Sequence, residues 1–99
     1  MYKLRIRILA KEDANEIFEY YDKIETSLGV SFLYALYSEF DAIILNPHMF
    51  QWKYKNTRVR FLKKFPYGLH YRIVEDKYIE ILSVLHTSRN PEIWKKRNG

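Results

Sequence analysis

A histidine, an arginine and a tryptophan stand close together near the end of the chain, at His86, Arg89 and Trp94. An imidazole exchanges protons near neutral pH, a guanidinium carries a fixed charge matched to phosphate or carboxylate, and an indole anchors interfaces. Two further pairs carry charge: Arg58 with Arg60, and His70 with Arg72. A spacing of two puts both members of a pair on one face of a strand, while the relation between the pairs depends on strand register. Such groups could do two kinds of work. Arginines could neutralise the charge that develops when a 2′-hydroxyl attacks its own phosphodiester, with His86 as acid or base; that would be metal-independent RNA cleavage. The same residues could instead dock a protein, with Trp94 and arginine as anchors.

Other chemistries lack their parts. With no cysteine there is no disulfide, thiolate nucleophile or thiolate metal site. His48, His70 and His86 show no metal-ligand spacing, and the three glycines form no phosphate-cradling loop. No serine has an evident histidine-and-acid arrangement. Neither a metal nor a cofactor is expected.

The elements that must position these groups follow from patterning. Tyr2 to Ile8 alternates, with Tyr2, Leu4, Ile6 and Ile8 on one side and Lys3, Arg5 and Arg7 on the other, the pattern of a half-buried strand. Ala14, Ile17, Phe18, Tyr21, Ile24 and Leu28 step by three and four, which predicts a helix from Lys11 to about Ser27, with Glu12 and Asp13 in its first turn. Gly29 reads as the break, and a second helix runs to about Leu45, burying Phe32, Leu33, Leu36, Tyr37, Phe40, Ile43 and Ile44 before Asn46-Pro47 ends it. Residues 48–56 read as a loop or irregular edge whose Phe50, Trp52 and Tyr54, interleaved with Lys53 and Lys55, could stack on bases while the lysines hold phosphates, or could form a lid on the core, the reading preferred for Phe50 and Trp52. Thr57 to Leu62 alternates again, with Val59 and Phe61 inward and Arg58 and Arg60 outward. Leu69–Ile73 and Tyr78–Leu85 read as a strand pair around the polar turn Glu75, Asp76 and Lys77, followed by a loop and a terminal helix. The expected class is α+β: an N-terminal strand, an antiparallel αα-hairpin packed on a mainly antiparallel, roughly four-stranded sheet, and a short C-terminal helix.

At 99 residues and 47% apolar, the chain is expected to form one domain over residues 1–99 around a single core. No apolar run reads as a membrane span and the start does not read as a signal peptide, so a cytoplasmic protein with no membrane partner is expected. Charge is uneven. Residues 1–50 carry a net −3 and residues 51–99 a net +8. A basic half attracts polyanions such as RNA or DNA, or an acidic, partly disordered protein segment that folds as it docks.

The order strand, two helices, three strands, with Asn46-Pro47, Phe65-Pro66-Tyr67, the strand pair and VLHTSRNPEIWKKR at 84–97, resembles bacterial toxins of the RelE/ParE superfamily over essentially the whole chain. The Pro-Tyr strand start and the His-x-x-Arg ending of the last strand are its most specific features. The resemblance implies a small toxin encoded with an antitoxin that neutralises it. RelE-like members cut messenger RNA in the ribosomal A site; ParE-like members poison DNA gyrase. The nucleases carry basic residues on the strand before the Pro-Tyr strand, which Arg58 and Arg60 match. They also carry an arginine directly after the aromatic that opens the next strand, where this chain has Gly68. A further arginine just past the last strand falls at Thr87, with Arg89 a turn of chain away, and a terminal tyrosine is replaced by Trp94.

His86 and Arg89 resemble the ParE-type ending. The implied function is growth inhibition by binding DNA gyrase, with Arg58, Arg60, Arg72, His86, Arg89 and Trp94 as target-facing or supporting surface and an acidic antitoxin as partner. The rival is a ribosome-dependent endoribonuclease acting on mRNA through Arg58, Arg60, His86 and Arg89. A third reading keeps the fold as a non-toxic nucleic-acid-binding module.

Overall fold

In the computed structural model, which describes residues 1–49 and 53–98, the chain runs β1 (Lys3–Ile6), α1 (Ile8–Ile24), α2 (Thr26–Leu45), β2 (Lys53–Tyr54), β3 (Thr57–Phe61), β4 (Tyr67–Val74), β5 (Tyr78–His86) and α3 (Pro91–Asn98). The strands form one sheet in the order β1-β5-β4-β3-β2. β1 runs parallel to β5, and every other pair is antiparallel. The expected α+β architecture is present, with two-residue β2 adding a fifth strand where the sequence suggested an irregular edge. Phe50 and Trp52, expected to cap the core, lie outside the described residues.

The helical hairpin begins and turns elsewhere than the pattern suggested. α1 starts at Ile8, so Glu12 and Asp13 stand beyond its first turn and receive no macrodipole benefit there. Gly29 is not the break. It sits inside α2, and the chain reverses at Glu25, whose extended backbone (φ −163°, ψ 131°) interrupts the helical run. Glycine at 29 serves close approach instead: a Cβ there would stand 3.0 Å from the Phe18 ring and 3.2 Å from the Cβ of Asp22. By length and apolar content α2 meets the requirement for a membrane span, contrary to expectation. In the fold its stripe of Phe32, Leu36, Phe40 and Ile43 is buried against the sheet. Burial of each such side chain contributes roughly 1.5–3 kcal/mol. Tyr37, expected inward, is exposed.

Register decides what each sheet face carries. Directly paired residues share a face, so Arg58 with Tyr71 and Arg60 with Leu69 look toward the helices. Tyr71, Leu69, Ile79, Ile81 and Val84 form the sheet's half of that core. Val59, Phe61, His70 and Arg72 therefore belong to the other face. The assignment of Val59 and Phe61 as inward needs correction: Val59 is buried under α3's side of the sheet, and Phe61 is 40% exposed. A bulge in β5 opposite His70 and Tyr71 inserts Leu82 and switches parity, so Ile79 and Ile81 face the helices before it and Val84 after it. Ser83 is thereby turned toward α3. The β4–β5 turn puts Glu75 and Asp76 at positive φ (55° and 51°), closed by Lys77 N–H donating to the Val74 carbonyl at 3.0 Å. Two central residues in this conformation match the twist of the hairpin they join.

Candidate functional site

The groups with chemical potential collect at the end of β5. Tyr67 opens β4 after Phe65-Pro66 and pairs directly with His86, the last residue of β5. Their rings meet edge to face, centroids 5.2 Å apart. The loop behind is tied down by backbone: Thr87 N–H donates to the Pro66 carbonyl at 2.9 Å, and Arg89 N–H to the His86 carbonyl at 3.0 Å. His86 Nδ1 accepts the Ser88 N–H at 3.1 Å, with Ser88 Oγ 2.7 Å away. That commits Nδ1 as an acceptor, so in the neutral ring the proton sits on Nε2. Burial, and then Tyr21 nearby, push the Tyr67 hydroxyl above its ordinary value, against a smaller opposing pull from Arg89. A cleft of about 290 Å³ is lined here by Tyr67, His86, Arg89, Asp13 and Glu16.

Asp13 was legible in the sequence only as a helix charge, and its place is different. β1 covers the β5 edge as far as Ile81, where Arg7 N–H donates to the Ile81 carbonyl at 3.1 Å. Beyond that point no strand among the described residues lies beside the edge, and Asp13 from α1 takes the role: its Oδ2 accepts the Val84 N–H at 3.0 Å. The same oxygen receives Arg97 Nη2 of α3 at 2.9 Å. One carboxylate thus joins α1, β5 and α3. Its partners are 71 and 84 residues away in sequence, which is why spacing could not reveal it.

The opposite face of the sheet is closed by α3. Trp94 packs edge-on against His70, centroids 4.8 Å apart, and lies tilted against Tyr54 at 6.2 Å. Beneath them Ser83 Oγ donates to Asn98 Oδ1 at 2.7 Å, and Asn98 Nδ2 donates in turn to the Tyr54 hydroxyl. His70 Nδ1 lies 3.2 Å from both Tyr54 Oη and Asn98 Nδ2, so it accepts. His70 is wholly buried and its Nε2 has no hydrogen-bond partner among the described residues. Burial, with Arg97 adding repulsion, brings its pKa down from 6.5 to about 4, so the ring is neutral.

The six residues proposed from sequence as one surface do not form one. His86 and Arg89 share the cleft. Arg60 lies on the helix side with its Nε 2.5 Å from buried Glu39, and Arg58 donates to the His48 carbonyl at 3.4 Å. Across two strand spacings of roughly 4.8 Å and two or more residues of rise, the Arg58/Arg60 row stands about 12 Å or more from His86. Core residues Leu69 and Phe65 fill the space under the helices. The joint catalytic set Arg58, Arg60, His86 and Arg89 is therefore divided. Arg72 is on the other face, its Nε donating to Glu80 at 2.8 Å, and Glu80 also meets Arg7 at 3.4 Å. Trp94 is 6% exposed and belongs to the interior, not to a target-facing surface. At Gly68 a Cβ would stand 2.9 Å from Val59 Cγ1, so the position where a nuclease of the resembling kind carries arginine is closed by a β-branched neighbour. Among the described residues no three His, Asp or Glu side chains converge as a metal centre requires.

A search of curated proteins gave no significant match. Among solved structures the fold is similar to a chain from the chromosomal ParDE toxin–antitoxin system of P. aeruginosa, at 16% identity and a TM-score of 0.77, covering 89% of this chain and 98% of that one. Residues 4–91 match the family model described as the ParE toxin of type II toxin-antitoxin systems. With that model spanning nearly the whole sequence, the chain belongs to the ParE toxin family.

Proposed function

We propose that this chain is the toxin of a toxin–antitoxin pair, that it arrests growth in the cytoplasm by binding DNA gyrase, and that an acidic antitoxin neutralises it. The observation that carries the binding mode is the make-up of the cleft at the end of β5. Two carboxylates, Asp13 and Glu16, line it together with His86 and Arg89. RNA cleavage by 2′-hydroxyl attack needs cations converging on a phosphate that gains charge. Here the second and third cations of the rival scheme, Arg58 and Arg60, face the helices some distance away, and the Gly68 position has no room for another. A mixed-charge cleft with an exposed Arg89 suits a protein surface better.

The antitoxin follows from charge. The net +8 of residues 51–99 favours a negatively charged partner segment, whose docking would be weakened by salt.

The test uses purified protein in two parallel assays. With DNA gyrase and relaxed plasmid, supercoiling should stop, and Arg89→Ala should weaken inhibition at least tenfold. With translating ribosomes, messenger RNA should remain intact in the A site. Normal supercoiling together with A-site cleavage that disappears in Arg89→Ala would establish the nuclease instead. Absence of growth arrest on expression of the chain alone would leave only the non-toxic nucleic-acid-binding module.

A further inference from the structure

A second, separate site lies at the opposite end of the sheet, where the β2–β3 turn, β4 and α3 meet. Lys55 from the turn, Arg72 from β4 and Lys95 from α3 line one small pocket of about 130 Å³, together with Asn56. Among the described residues no carboxylate belongs to its wall. Three cations from three different elements are brought together only by the fold. Lys55 forms no ion pair among the described residues, and its backbone is held at φ 49°, which fixes the turn that presents it. Arg72 gives its Nε to Glu80, on the strand beside it, and its two Nη groups make no described hydrogen bond. Among the described residues Lys95 meets only Glu92, at 3.5 Å, in an exposed pair one helical turn apart, an interaction that is weak in water. The last turn of α3 also carries Lys96 and Arg97, which offset the negative end of that short helix.

We propose that this pocket seats a phosphate group carried by a nucleic-acid strand. Its volume is enough for a phosphate. Lys55, Asn56 and Arg72 also wall an adjoining open cleft of about 910 Å³, large enough for the attached sugar and base. That larger cleft sets Glu75, Asp76 and Glu80 against Lys55, Arg58 and Arg72, so its wall has no cationic excess to hold a run of phosphates. The anion is confined to the small seat, and the nucleotide's uncharged parts fall beside it. A guanidinium fork with free Nη groups and two ammonium groups supplies charge-assisted donors to phosphate oxygens. The inference stands on this geometry alone and does not depend on gyrase being the target.

The test titrates fluorescein-labelled decathymidylate, with and without a 5′-phosphate, into the full chain at several salt concentrations. The comparison is with Lys55→Ala/Lys95→Ala, both exposed positions, and with Lys11→Ala/Lys23→Ala on α1 as a control of equal charge change. Losing the one seated phosphate of a single strand should lower affinity about fivefold at 0.1 M salt and make the log–log salt slope about 0.7 less steep. The control pair should lose less than threefold. Inorganic phosphate should move the amide resonances of Asn56 and Thr57 in the unmodified chain and not in the Lys55/Lys95 variant. A 5′-phosphate that strengthens binding identifies a terminal phosphate as the seated group; equal binding identifies the backbone. Equal losses in both variant pairs would reduce the effect to the overall positive field and overturn the proposal. So would unaltered binding in the Lys55/Lys95 variant, or amides at 56 and 57 that phosphate leaves unmoved.

Discussion

Replacing His70 by glutamine should remove a pH dependence of folding that the unmodified chain shows. His70 is neutral in the fold, with its pKa brought from 6.5 to about 4 by burial first and Arg97 second. In the unfolded chain the ring binds a proton from about pH 6.5 downward. The stability contributed by holding it neutral is thus complete above 6.5 and is lost as pH falls toward 4. Linkage over that interval predicts a loss of about 2 kcal/mol at pH 5 and about 3 kcal/mol at pH 4, relative to pH 7.5. Glutamine retains an acceptor for Tyr54 and Asn98 and does not titrate. The assay is urea unfolding of both proteins at pH 7.5, 6, 5 and 4, followed by tryptophan fluorescence, since Trp94 packs on this ring. Glu80 and Asp76, both held below their ordinary values by their partners, also lose their contributions in acid. Those losses are common to the two proteins and cancel in the difference. Parallel stability profiles would refute the reasoning, because they would mean that His70 can take up a proton in the fold without penalty.

Two further outcomes follow from buried geometry. Asp13→Ala strips the Val84 N–H of its acceptor and leaves Arg97 without its carboxylate, so urea unfolding should show a loss of about 2–4 kcal/mol, with Asp13→Asn losing less because an oxygen remains for Val84. Gly68→Arg forces a Cβ to 2.9 Å from Val59 Cγ1 and should destabilise by about 1–3 kcal/mol in the same measurement, while conferring no A-site cleavage on translating ribosomes.

The helical stripes of α1 and α2 were readable because apolar residues at three- and four-residue steps leave few alternatives to an amphipathic helix. Their limits were less readable. Ile8 looks like the end of an alternating strand yet begins α1, and Gly29 looks like a hinge yet serves a close helix crossing. Local patterns do not distinguish a glycine needed for backbone freedom from one needed for lack of a side chain. At the site, Tyr67, His86 and Arg89 were visible as residue types around the last two strands, and the structure does bring them together. The two carboxylates that change the character of their cleft were not, since they come from α1, far away in the chain.

Taken alone, the residues determined that this protein is an α+β fold with a helical hairpin on a mainly antiparallel sheet, and that its basic charge lies in the second half. Periodicity and composition are local properties, and a linear string carries them completely. Tertiary structure alone decided which charges face the same way. Pairing of Arg60 with Leu69 and of Arg72 with Glu80 puts two arginine rows on opposite faces, and one extra residue at Leu82 switches the parity of the rest of β5. Side chains alternate at every step along a strand, so a one-residue change in pairing moves a group to the other side of the sheet. That change depends on contacts between distant segments, which is why His70 ended in the interior beside Trp94 and Arg72 stayed at the rim of a cationic pocket.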